Sequence, residues 1–116
     1  MHRNLEPSNI LLDQNNNIKI CDFRCAVDFQ NHDRRPIGLL EYQSPEMISG
    51  APYDHKTDIW SLGVLLHRML FDGDLPWRPD EDTAEQILSC NETEFKRHPN
   101  WYHVPTNARG LVLKLL

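Results

Sequence analysis

The sequence predicts a mainly α fold that carries one small β-hairpin near its start. Three observations point there. Ile59, Trp60, Leu62, Val64, Leu65, Leu66, Met69 and Leu70 crowd residues 54–71 without keeping to one stripe, the pattern of a helix buried nearly all round. Two further helical stretches follow, at 82–89 and after Pro105. Ahead of them, Ile10-Leu11-Leu12 and Ile18-Lys19-Ile20 flank an Asn-rich polar run at 13–17, which reads as two short strands joined by a turn.

The chain has 116 residues, within the range of one domain. Its 40 % hydrophobic and 25 % charged residues are ordinary globular composition. A net charge of −5 sets aside bulk binding to nucleic acid. No apolar stretch is long enough to span a membrane, and Met1-His2-Arg3 opens no signal peptide. An intracellular protein of cytoplasm or nucleus is therefore expected. Cys21, Cys25 and Cys90 lack C-x-x-C spacing, so reduced structural thiols are expected rather than a zinc site. The sequon at Asn91-Glu92-Thr93 reads as chance in that setting.

The hairpin defines the candidate site. It places Asn9 just before one strand and Asp22 just after the other. An amide oxygen and a carboxylate brought together in this way suit Mg²⁺, a hard cation that keeps waters and binds phosphate. On these two residues alone, a plain surface hairpin with solvated polar ends is the favoured account.

The wider run carries more. His2-Arg3-Asn4-Leu5-Glu6-Pro7-Ser8-Asn9 and Asp22-Phe23-Arg24 resemble the catalytic loop H-R-D-x-x-x-x-N and the metal loop D-F-G of eukaryotic protein kinases. The resemblance implies Mg-ATP as cofactor, with Asn9 and Asp22 as metal and nucleotide residues. It implies structural roles for His2, Arg3 and Phe23. It also shows what has changed. The base position is Asn4, the lysine two residues later is Glu6, and the glycine after Phe23 is Arg24. An amide cannot take the proton of a substrate hydroxyl, and general-base catalysis is worth about 10²–10⁴-fold. Glu6 brings negative charge toward the phosphates. Two like charges about 5 Å apart repel by roughly 3 kcal/mol at an effective dielectric near 20.

Residues 22–46 match the activation segment of that family. Asp33, Arg34, Arg35 and Pro36 make its middle polar and turn-prone. The run Gly38-Leu39-Leu40-Glu41-Tyr42-Gln43-Ser44-Pro45-Glu46-Met47-Ile48 is similar to the segment that ends in A-P-E, with Ser44 for Ala. The paired arginines, the G-x-L-[DE]-Y run, P-E-M-I and, loosely, Cys25-Ala26-Val27 are most like the Aurora branch of serine/threonine kinases. Residues 22–43 contain no Ser or Thr, and Tyr42 is their only phenol. Pro36 stands where such kinases place the phosphorylated threonine. That phosphate would pair with the arginine matched by Arg3. Leu39 replaces a threonine that bonds the catalytic Asp and Lys, so Asn4, Glu6 and Leu39 are three losses from one cluster.

In residues 54–71, Thr57 or Asp58 is expected to cap the helix. The resemblance gives Asp58 a second role, bonding backbone amides of the catalytic loop. His67 and Arg68 suit the helix dipole, and Gly73 and Pro76 end the helix region. Asp80-Glu81-Asp82 lead into the helix at 82–89, whose apolar residues are Ile87 and Leu88. This is a partner and substrate surface in the family, or a solvated helix start stabilised by its dipole. Residues 95–101 read as a polar loop. His98 and His103 lack a fourth-ligand pattern. Thr106 is expected to cap a last helix, with Leu111, Val112 and Leu115 as its buried stripe.

The domain expectation is one partial kinase domain over 1–116, from the catalytic loop to the late helices of the large, C-terminal lobe. Nothing in the 116 residues matches a Gly-rich loop, a V-A-I-K lysine or the helix carrying its glutamate partner. The end of the large lobe is also unmatched, including the arginine that pairs with the glutamate matched by Glu46. Three functions are open. One is a catalytically inactive kinase-like module. Another is a binding module or scaffold that holds a protein partner on its exposed large-lobe surface. The third is an active serine/threonine kinase given incompletely. The sequence favours the first, because more chain would not restore Asn4, Glu6, Arg24 or Leu39.

Overall fold

The computed structural model describes residues 1–28, 35–78 and 81–116. Asp33 and Arg34 of the polar middle segment, and Asp80, lie outside the described residues. Strands β1 (Ile10–Leu12) and β2 (Ile18–Ile20) pair antiparallel, with Ile10 opposite Ile20 and Leu12 opposite Ile18. Asp13 fixes the turn between them. Its Oδ1 accepts the amides of Asn15 and Asn17 at 2.8 and 2.9 Å, a side chain standing in for a backbone turn. Among the described residues five α-helices follow: α1 (Pro45–Ile48), α2 (Lys56–Leu70), α3 (Thr83–Leu88), α4 (Glu92–Phe95) and α5 (Thr106–Leu115). The mainly α fold with a hairpin is as expected.

Helix α2 organises the core. Trp60 stacks on Trp77 with ring centroids 6.1 Å apart, and Phe71 stacks on Trp101 at 5.6 Å. Val64 and Ile87 are fully buried. Helix α5 packs so closely on α2 that a Cβ at Gly63 would lie 2.7 Å from Leu116 Cδ2. Cys90 packs against the same core, and burial, with the charge of Glu94 adding to it, pushes its thiol up to about 11. It is a structural thiol, not a nucleophile. No helix among the described residues is long and apolar enough to cross a membrane.

Several expectations are corrected. Burial of α2 is one-sided: Ile59, Leu62 and Met69 are 43 %, 45 % and 81 % exposed. Neither Thr57 nor Asp58 caps it. His55 holds the cap position without a side-chain bond, and Asp54 Oδ1 accepts the Lys56 amide at 2.8 Å. Thr57 is instead buried, its hydroxyl 2.8 Å from that of Ser44. Residues 95–101 are not simply a polar loop. Asn91 caps α4 through the Thr93 amide, and Phe95 and Trp101 are core residues. Two aromatic anchors alone in a polar stretch give no periodicity to read. Thr106 lies inside α5, after Pro105 at the cap position. Of the expected α5 stripe, Val112 is buried but Leu111 is exposed, and Leu113 packs on the core.

His67 is buried in α2 and packs against Phe71 and His98. Burial pushes its imidazole down to about 4, against the opposing pull of the Asp74 carbonyl bonded to its Nδ1. The folded chain therefore resists a proton that the unfolded chain accepts near pH 6.5. Its share of stability is complete above that value, falls as pH drops toward 4, and is gone below it. The effect is on the order of 3 kcal/mol. Urea midpoints at pH 7 and pH 4.5 should differ accordingly, and His67→Gln should flatten the difference. An unchanged slope in that variant would remove His67 as its cause.

Candidate functional site

The N-terminal loop is pinned from two sides. Asp58, in the first turn of α2, accepts the His2 amide on Oδ2 at 2.7 Å and the Arg3 amide on Oδ1 at 2.8 Å. From the hairpin side, Cys21 O lies 3.0 Å from His2 Nε2, while the Asn4 amide donates to His2 Nδ1 at 3.3 Å. An acceptor at Nδ1 leaves the ring proton on Nε2, aimed at the carbonyl. Phe23 packs edge-on against the same ring, centroids 5.0 Å apart.

Arg3 sits in the left-handed region at φ 68°, a conformation uncommon outside glycine. Its buried guanidinium donates to Cys25 O at 2.7 Å and to the Tyr53 hydroxyl at 3.1 Å, and Tyr53 in turn donates to Arg35 O at 2.8 Å. The arginine that the resemblance reserved for a phosphate is thus engaged by backbone and phenol. Nothing in the sequence around Tyr53 singles it out for this role.

Asn4 is half-buried beneath the segment backbone. Gly38 lies over it at φ 87°, and a Cβ there would stand 2.6 Å from Asn4 Oδ1 and 3.2 Å from Arg3 O. Gln43 Nε2 donates to Gly38 O at 3.0 Å and holds the backbone down. Only glycine combines that φ with so close an approach. Glu6 accepts the Ser8 hydroxyl at 2.7 Å. Leu39 is 52 % exposed. Glu46 is half-buried in the first turn of α1, and its carboxylate meets no cation among the described residues.

The hairpin brings the ends of its strands together, with the Cys21 amide donating to Asn9 O at 3.0 Å. Asn9 is buried and its Nδ2 donates to Asn4 O at 2.9 Å, while its Oδ1 accepts from no protein donor among the described residues. That oxygen suits a cation. Asp22 does not match it. Arg24 grips both carboxylate oxygens, Nε to Oδ1 at 2.6 Å and Nη2 to Oδ2 at 2.8 Å. The Arg24 side-chain hydrogen bond, against an opposing cost of desolvation, holds the Asp22 carboxyl down at about 2. Asp22 also takes a left-handed backbone, φ 62°. The fork is bidentate, but the Arg24 side chain is 87 % exposed, so water screens the pair. As they stand, these residues offer Mg²⁺ a carboxylate already shared with an arginine of the same loop. The sequence showed Arg24 as a lost glycine but not as a cation aimed back at Asp22.

With this geometry in hand, the comparisons with known proteins agree with one another. A family model described as protein kinase domain matches residues 1–116. The chain is 39 % identical over 117 residues to an Aurora kinase of Patiria pectinifera and to Aurora kinase A-B of Xenopus laevis, covering 100 % of this chain and 28 % of each relative. It is 35 % identical over 121 residues to the serine/threonine-protein kinase grp of Drosophila melanogaster, covering 99 % of this chain and 23 % of that protein. The chain therefore spans roughly a quarter of the length of these relatives.

Proposed function

This chain belongs to the protein kinase domain family and is Aurora-like within it, and from that premise we propose that it is a catalytically inactive kinase-like module working inside the cell. The bidentate Arg24–Asp22 pair carries the reading. It occupies the carboxylate that kinases give to the metal. Asn4 at the base position and Glu6 at the lysine position act in the same direction.

The test is direct. With Mg-ATP and a basic protein substrate, the chain should transfer no phosphate, and calorimetric titration of Mg-ATP should give a Kd weaker than about 1 mM. Arg24→Gly should free Asp22, so Mg²⁺ should shift the Asn9 and Asp22 amide resonances in that variant and not in the native chain at equal metal concentration. Time-dependent labelling above a boiled control, abolished by Asp22→Ala, would refute inactivity. A second reading is a module that holds a protein partner. It is favoured by exposed apolar side chains on the hairpin (Leu12, Ile18) and on α2 (Met69).

A further inference from the structure

The stretch from Asp22 to Gln43 offers no accessible hydroxyl to a modifying enzyme. It contains no Ser or Thr. Its phenol, Tyr42, is buried, and the Tyr42 oxygen accepts Arg68 Nη1 at 2.7 Å. Ser44, next in the chain, is fully buried with its hydroxyl 2.8 Å from that of Thr57. Whatever holds this stretch in place must therefore come from side chains of the protein itself.

Tyr53 supplies such a tie. Gly50 ends α1 at φ 70°, and the Ala51 amide returns to Glu46 O at 3.0 Å. The chain beyond them carries Tyr53, buried, to the guanidinium of Arg3. A phenol hydroxyl has one proton to give and lone pairs to accept with. Both capacities are used here. The Tyr53 oxygen accepts Arg3 Nη1 at 3.1 Å, and its proton goes to Arg35 O at 2.8 Å. Such a chain polarises itself, each bond strengthening the next. On its other edge the same guanidinium donates Nε to Cys25 O at 2.7 Å. One arginine thus holds two carbonyls of the stretch, at 25 directly and at 35 through the phenol. Further along, Gln43 Nε2 holds Gly38 O at 3.0 Å.

From this relay we infer that the Tyr53 hydroxyl is a built-in lock, which ties the stretch to Arg3 and keeps residues 35–38 ordered in the unphosphorylated chain. A phosphate orders a segment by giving an arginine new acceptor oxygens. Here the phenol oxygen is the acceptor, and it passes the hold on to a backbone carbonyl. No enzyme adds or removes that oxygen, so the lock is permanent. It involves neither Asp22 nor Arg24, and it stands or falls independently of inactivity.

Nitrogen-15 relaxation of the phosphatase-treated chain tests it. The Ile37 and Gly38 amides should show order parameters near about 0.85, the value of rigid backbone, and Tyr53→Phe should drop them below about 0.6. That change removes one oxygen and keeps the ring, so Val64 and Leu65 in the middle of α2 should stay rigid. At the other end of the relay, exchange of the Arg3 Nε proton should quicken by about tenfold or more, as a bond to a charged group is lost beside it. Ile37 and Gly38 already flexible in the native chain, or loosened by the phosphatase, would overturn the proposal. So would amides as rigid in Tyr53→Phe as in the native chain, or an unchanged Arg3 Nε proton. Loosening that extends to Val64 and Leu65 would also do so, since it would make the tyrosine a core support rather than a lock.

Discussion

Restoring three lost positions together, by Asn4→Asp, Glu6→Lys and Arg24→Gly, should leave the 116-residue chain without measurable phosphoryl transfer. The reversion supplies the right functional groups. A carboxylate at position 4 could accept a proton, an ammonium at position 6 would face the phosphates, and Asp22 would lose the fork that binds both its oxygens. Phosphoryl transfer, however, depends almost wholly on positioning and electrostatic clamping. The Gly-rich cover over the phosphates and the lysine–glutamate pair have no counterpart in these 116 residues. Positioning can supply about 7–11 kcal/mol of a barrier, more than a base worth about 10²–10⁴-fold. Parallel assays and Mg-ATP titrations of the original and reverted chains decide the matter. Turnover by the revertant alone would place the whole defect in the three residues. Tight ATP binding by the original would show a nucleotide site built without those parts.

What the sequence made legible follows from how many residues carried each signal. The hairpin was readable because two short apolar runs bracket an Asn-rich turn, and the strands fall at Ile10–Leu12 and Ile18–Ile20. Helix α2 was readable from its density of apolar residues, but density does not say which face is covered. Hence Ile59, Leu62 and Met69 were expected inside and are exposed. Helix α4 rests on Phe95 and a polar cap, too little for a period. In the site, identity was legible and engagement was not. The sequence marks Arg3, Asn4, Asp22 and Arg24, but it is the fold that ties Arg3 to Tyr53, brings Gly38 over Asn4, and sets Arg24 on Asp22. Such contacts depend on backbone angles, among them the left-handed Arg3 and Asp22, for which arginine is no marker and aspartate only a weak one.

Asp58→Ala should produce the largest loss of stability of any single substitution near the site, about 3–5 kcal/mol. Had Asp58 been a simple helix cap, the cost would be about 0.5–2 kcal/mol. It is instead the acceptor for two backbone amides, those of His2 and Arg3, separated from it in sequence by 56 and 55 residues. Hydrogen bonds to a charged group are each worth about 1.5–3 kcal/mol, and a buried donor left unpaired costs about 1–3 kcal/mol. His2 and Arg3 are both buried, so water cannot readily replace the carboxylate. Those two bonds also hold Arg3 at its positive φ, a conformation that costs on the order of 1–3 kcal/mol unless its surroundings impose it. Without Asp58 the loop should relax, and the His2–Cys21 and Arg3–Cys25 contacts should go with it. A domain typically has only about 5–15 kcal/mol to lose, so Asp58→Asn, which keeps one acceptor oxygen, provides a milder variant. Urea titration followed by tryptophan fluorescence gives the stability change, and amide hydrogen exchange at His2 and Arg3 gives its location. A loss below about 1 kcal/mol with both amides still protected would reduce Asp58 to a residue of the helix start and leave the loop held by the hairpin alone.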